Sequence, residues 1–167
     1  MDSSFFTYIQ QLELLAFFSG YPLLYALVNV LAGSQKTGNV IKIASLLPLG
    51  YAITGILYLG LQFRQLYPDY SLTHIRSSIQ QPYWTVWAIL SLLFLLPVFR
   101  KRPIFSLLHS LPIFFLLCRD LLFHKIEAQD NNVVQNDMKI YTDSLLLQFG
   151  AFLLVTLLYF FSKRLRK

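Results

Sequence analysis

The chain has 167 residues and a formal net charge of +6; it is 56% hydrophobic and 16% aromatic but only 13% charged. Soluble domains are roughly a quarter charged. That deficit, with the long apolar runs, excludes a soluble globular enzyme, a disordered tail and a nucleic-acid-binding domain. A nucleic-acid binder gathers Lys and Arg on a polar face, whereas here they stand at the ends of apolar segments.

A bilayer core about 30 Å thick needs roughly 20 apolar residues per helix, so the length fits five or six crossings and little else. Cys118 is the only cysteine, which excludes an intrachain disulfide, a thiol redox pair and a thiolate metal cluster. Met1-Asp2-Ser3-Ser4 lacks the positive charge that opens a signal peptide, and no small-residue cleavage pattern follows. The first apolar run therefore reads as a retained crossing. Position 2 is Asp and the last residues are Arg-Lys, so no lipidation motif is visible.

Segment one is about 11–32, with its apolar run from Leu14 to Ala32 and Pro22 as a kink inside it. A polar turn with two glycines follows, Gly33 to Asn39. Segment two is Ile43 to Phe63, 21 residues without a charge, or about 31 Å of helix. Tyr67-Pro68-Asp69-Tyr70 reads as a turn. Next, Leu72, Ile75 and Ile79 recur at helical spacing behind Ser71 and before Pro82, predicting a short amphipathic helix on the membrane surface. Segment three is Tyr83 to Phe99, with Trp84 and Trp87 in an aromatic belt. Segment four, 104–123, has an uncharged stretch that rises only about 22 Å and crosses only by continuing past Arg119 and Asp120. Glu127 to Asp137 reads as a polar loop, and segment five is about 141–162. The expected fold is an all-α integral membrane protein, a five-helix transmembrane bundle with a surface helix between the second and third crossings. No internal repeat supports an inverted-repeat transporter.

Five crossings place Lys36, Lys42, Arg100, Lys101, Arg102, Lys163, Arg164, Arg166 and Lys167 on one side, without an acid. The other side holds Arg64, Arg76, Arg119, Lys125 and Lys139 with all eight acids. The positive-inside rule then predicts a multi-pass protein of the cell (inner) membrane, N-terminus outside and C-terminus cytoplasmic. The basic side should also attract anionic lipid headgroups.

Polar side chains recur at helical spacing in every segment: Tyr21, Tyr25 and Asn29; Tyr51, Thr54, Tyr58 and Gln62; Trp84, Trp87 and Ser91; Ser106, Ser110 and Asp120, with His109 beside them; Tyr141, Gln148 and Tyr159. Lipid satisfies none of these groups, so they should turn inward. There they act as interhelical glue, with Gly50, Gly55 and Gly60 as close-packing points, or they line a tyrosine-rich cavity open to the outer side for a lipid-like or aromatic ligand. Glu13 is either an intramembrane carboxylate, paired with Arg64, Arg119 or His124, or a headgroup-level residue. Arg119-Asp120 suits an interfacial anchor better than a relay. His109 is weak as a proton relay, and with His74 and His124 on the outer side it has no second histidine within reach for haem. Neither a metal-spaced cluster nor a catalytic triad motif is present, and no cofactor is expected. The candidate ligand- or ion-binding residues are Glu13, Tyr21, Tyr25, Asn29, Tyr51, Tyr58, His109, Arg119, Asp120 and Gln148.

The leading expectation is a non-enzymatic accessory or structural subunit that packs against a membrane-protein partner or a second copy. The alternative is a small transporter or ligand-binding protein using Glu13 and the tyrosines. A lipid-modifying enzyme using the outer-side Asp120 and His124 is the third.

Overall fold

The computed structural model describes residues 17–34, 38–65, 82–127 and 131–165. Among them every regular element is helical: α1 Tyr21–Ser34, α2 Gly38–Ala44, α3 Leu47–Gln65, α4 Pro82–Ser91, a 3-10 turn Leu92–Leu95, α5 Pro97–Arg100, α6 Ile104–Glu127 and α7 Asn131–Leu165. Two stretches are long and apolar enough to cross a bilayer, Ile41–Arg64 and Thr142–Leu165. The apolar helices Tyr21–Gly33, Thr85–Leu95 and Ile104–Leu116 are shorter. The surface helix expected before Pro82 lies outside the described residues.

Prolines set the breaks. Pro22, Pro48, Pro82 and Pro97 all fall at the first or second position of a helix. There a missing N–H leaves no hydrogen bond unmade, while the ring clashes with the carbonyl four residues back. The first apolar segment accordingly breaks at the Ser19-Gly20 turn before Pro22, and the second at Ser45-Leu46 before Pro48. Segment three is not the continuous helix expected over 83–99. Its α-helix ends at Ser91, and Leu96 is extended (φ −71°, ψ 137°), the conformation that a following proline imposes. Among the described prolines only Pro112 sits inside a helix, and α6 runs on past it, Arg119 and Asp120 to Glu127.

The polar loop expected over Glu127 to Asp137 is mostly helix, because α7 starts at Asn131 and runs 35 residues. Polarity marked this stretch as solvent-facing, which does not make it a loop. Extending a formed helix adds one hydrogen bond per residue fixed and needs no new nucleus.

Helix α3 is central. It packs on α7, α4 and the 3-10 turn, while α1 packs on α6 and α7. Gly50 meets Phe152, where an added Cβ would lie 3.1 Å from the Phe152 Cα. Gly55 meets Ser91 and Ala88 of α4 so closely that an added Cβ would overlap the Ser91 hydroxyl. Gly60, expected to do the same, has open space around it. Gly50–Phe152 and Thr54–Gln148 contacts make α3 and α7 antiparallel. Gly55–Ser91 and Tyr51–Phe94 contacts run α4 and the 3-10 turn antiparallel to α3 as well. Lys42, the Arg100-Lys101-Arg102 turn, Lys163 and Arg164 therefore gather at one end. The described acids Asp120, Glu127, Asp137 and Asp143 lie on α6 and α7 away from it.

The distribution of polarity is inverted relative to a water-soluble bundle. Ser19, Thr54, Ser91, Ser106, Ser110, Ser144 and Gln148 are buried. Val30 (71% exposed), Phe115 (62%) and Leu146 (64%) point outward with many other large apolar side chains.

Candidate functional site

The polar interior is built in two layers along α3. Tyr51, Thr54 and Tyr58 follow one another at three- and four-residue spacing, which places them on one face. In the first layer the Tyr51 hydroxyl lies 2.8 Å from His109 Nδ1 of α6. The Tyr21 hydroxyl lies 2.7 Å from Ser106 Oγ. Ser106 spends its own proton on the Pro103 carbonyl at 2.7 Å, so Tyr21 is the donor. The Tyr21 and Tyr51 rings pack with centroids 4.4 Å apart, and Phe94 sets its edge against both Tyr51 and His109. Trp87 of α4 stacks on the His109 imidazole, centroids 4.4 Å apart and planes 26° apart. Aromatic pairs of this kind contribute about 0.5–1.5 kcal/mol beyond area burial.

The second layer repairs the break before Pro22. The Gly20 N–H donates to Ser144 Oγ at 2.8 Å, and Ser19 Oγ donates to the same oxygen at 3.1 Å. One turn further along α7, Gln148 Nε2 donates to the Phe17 carbonyl and, at 3.2 Å, to Thr54 Oγ1. Thr54 in turn donates to the Tyr51 carbonyl at 2.7 Å. Two α7 side chains four residues apart thus satisfy backbone groups that the broken helix cannot pair. Irregular backbone inside an apolar bundle requires such partners.

Hydrogen-bond accounting settles the His109 tautomer. With Tyr51 donating to Nδ1, only the Nε2–H is left over; with Nδ1–H donating, both the phenol proton and the Nε2 lone pair are left over, so the first arrangement strands fewer buried groups. Tyr51 therefore donates, and the imidazole proton sits on Nε2. Among the described residues, three buried side-chain atoms have no hydrogen-bond partner: His109 Nε2, Trp87 Nε1 and Gln148 Oε1.

Of the candidates read from sequence, Tyr21, Tyr51, Tyr58, His109 and Gln148 come together along α3. Tyr21 and Tyr51 are fully buried and Tyr58 nearly so, with their rings packed on one another and on Phe17 and Phe18. Tyr58 also accepts from Gln62 Nε2 at 3.2 Å. Tyr25 is half-buried beside Tyr21. Asn29 is exposed and donates to the Tyr25 carbonyl of its own helix at 2.7 Å, so it does not join the interior. Arg119 is exposed, well along α6 from His109. Asp120 follows it on the same helix, and Glu13 lies outside the described residues. Among the described residues no three His, Cys, Asp or Glu side chains gather as a metal site. The parts that sequence reading missed are the Trp87–His109 stack and the Ser19–Ser144 contact. Pro22 was the available signal for the second, since a proline inside an apolar segment demands donors and acceptors from a neighbouring helix.

Comparison with protein-family models, curated proteins and solved structures finds no match for this chain.

Proposed function

We propose that this chain is a multi-pass membrane bundle acting as a non-enzymatic accessory or structural subunit of a larger membrane assembly. The inverted polarity carries the reading. Ser19, Ser106, Ser144, Thr54, Gln148, Tyr21 and Tyr51 take part in bonds between elements, Ser91 and Ser110 bond within their own helices, and the outward surface is dominated by large apolar side chains. An interior spent on holding helices together is a scaffold, and an apolar exterior suits lipid and a partner's helices. The basic end around Lys42, Arg100-Lys101-Arg102 and Lys163-Arg164 suits the cytoplasmic leaflet of the cell membrane, with its anionic headgroups, and supports a cytoplasmic C-terminus. The shorter apolar helices cross by local thinning of the bilayer and by snorkelling of flanking side chains.

Purification of the tagged protein in mild detergent tests this. A co-purifying membrane protein, or a stable oligomer of the chain, is expected. A monodisperse monomer with nothing bound would count strongly against it. Release into the supernatant by alkaline carbonate would overturn the membrane reading.

A second reading, a small ligand-binding membrane protein, is favoured by one observation: the neighbouring, unpartnered nitrogens of His109 and Trp87. A scaffold has no use for buried donors without acceptors.

A further inference from the structure

We propose that Trp87 and His109 form a binding site for the carbonyl oxygen of a lipophilic molecule that arrives sideways between α4 and α6. The site rests on the second reading above. Its starting point is the proton inventory. With Tyr51 donating to Nδ1, His109 presents Nε2–H, and the indole of Trp87 presents only a donor. Both are buried and unpaired on rings stacked 4.4 Å apart. The Trp87 carbonyl is near the imidazole and the Tyr51 hydroxyl is near the indole, yet neither meets the two N–H groups in hydrogen-bond geometry. Two neighbouring donors without an acceptor call for an oxygen with two lone pairs and no proton of its own. A carbonyl meets that description. A cation does not, and an alcohol brings a third donor.

The surroundings select a lipophilic carrier. Phe94 and Tyr51 wall the inner side of the imidazole with aromatic edges. Toward the outside, α4 presents Val86, Ile89 and Leu90, and α6 presents Leu108, all exposed. Helices α4 and α6 pack on each other only sparsely, and the Trp87–His109 stack bridges them. Both rings are half-buried although their nitrogens are covered. The exposed apolar side chains at this flank move aside to admit the head of the ligand, and its tail stays among them. Tyr51 acts as a positioning residue, holding the tautomer that keeps Nε2 a donor.

The test uses the full chain in detergent micelles. The probe is a fully substituted benzoquinone with a decyl tail, and decylbenzene is the carbonyl-free control. The readout is the indole N–H resonance of Trp87 in a Trp84→Phe background, Trp84 being the other tryptophan. A saturable shift with the quinone and none with decylbenzene is expected. Trp87→Phe, which keeps a ring and removes only the N–H, should weaken binding about five- to tenfold, followed by fluorescence of a restored Trp84 or by calorimetry; His109→Leu should do the same. Tyr51→Phe should weaken binding less and make it depend on pH, as the imidazole becomes free to change tautomer and charge. Equal responses to quinone and decylbenzene, or unchanged affinity in Trp87→Phe, would overturn the site. So would an Nε2 proton already bonded to the Trp87 carbonyl in the ligand-free protein. Binding in micelles does not require a partner or a particular topology, so its failure is distinguishable from failure of the accessory-subunit and membrane readings.

Discussion

Tyr51 donates its hydroxyl proton to Nδ1 of His109 across 2.8 Å, from the first half of α3 to the first half of α6. This bond ties the central helix to a helix with which it shares little direct packing, and it sets the imidazole against Trp87. In double-mutant cycles within membrane bundles, interhelical bonds average about 0.6 kcal/mol and reach about 1.7. Tyr51→Phe and His109→Leu should each destabilise the detergent-solubilised protein by about 1–3 kcal/mol, because each strands a buried polar partner. The double variant should lose less than the sum of the two in equilibrium unfolding. Strict additivity would mean the bond does not form.

Gly55 and Gly60 lie five residues apart on α3 and should respond oppositely to alanine. At Gly55 the new methyl would overlap the Ser91 hydroxyl and sit 3.1 Å from its Cβ. Ser91 would have to rotate away from the Ala88 carbonyl it donates to, or α3 and α4 would have to separate, with a loss of about 1–3 kcal/mol typical of overpacking. Ser91→Gly in the same chain should recover part of it. At Gly60 nothing lies within 4 Å, so alanine should be neutral or stabilise by up to about 1 kcal/mol through helix propensity. Thermal unfolding of the two single variants side by side decides this.

Ser144 should be visible at a residue 124 positions away. The Gly20 amide donates to its hydroxyl at 2.8 Å, so Ser144→Ala should lower hydrogen-exchange protection at Gly20 and cost about 1–3 kcal/mol. Ser110→Ala should leave Gly20 protected, because Ser110 donates to the Leu107 carbonyl of its own helix. Equal protection of Gly20 in both variants would show that another acceptor holds that amide.

Topology is testable through the lone cysteine. In a Cys118→Ser background, single cysteines replacing Lys101 and Asp143 should report opposite sides in intact cells. A membrane-impermeant maleimide added outside should label position 143 and leave position 101 unlabelled until the membrane is opened. Labelling of both positions from outside would remove the proposed orientation, whose basis is the placement of the Arg100-Lys101-Arg102 turn at an end without described acids.

What the sequence by itself determined is local or additive. Proline chemistry acts within four residues, so Pro22 announces a kink in the first apolar segment, and the run from Ile43 to Phe63 announces an apolar helix; the breaks beside Pro48 and Pro97 fall inside segments expected to be continuous. The charge-free stretches likewise announced that polar side chains would turn inward, as Thr54, Ser106 and Gln148 do. Sequence could not decide whether a polar stretch such as 131–140 is loop or helix, since polarity reports solvent and helicity depends on a neighbouring turn already formed. Nor could it decide which of Gly50, Gly55 and Gly60 a second helix approaches, or that Asn29 bonds its own helix while Gln148 bonds two others. Those outcomes depend on the register between helices far apart in the chain, which tertiary packing alone sets. His109 shows the difference most sharply. As a lone histidine on an apolar helix it predicted almost nothing, and only the register of α6 against α3 and α4 placed it between the Tyr51 hydroxyl and the Trp87 ring.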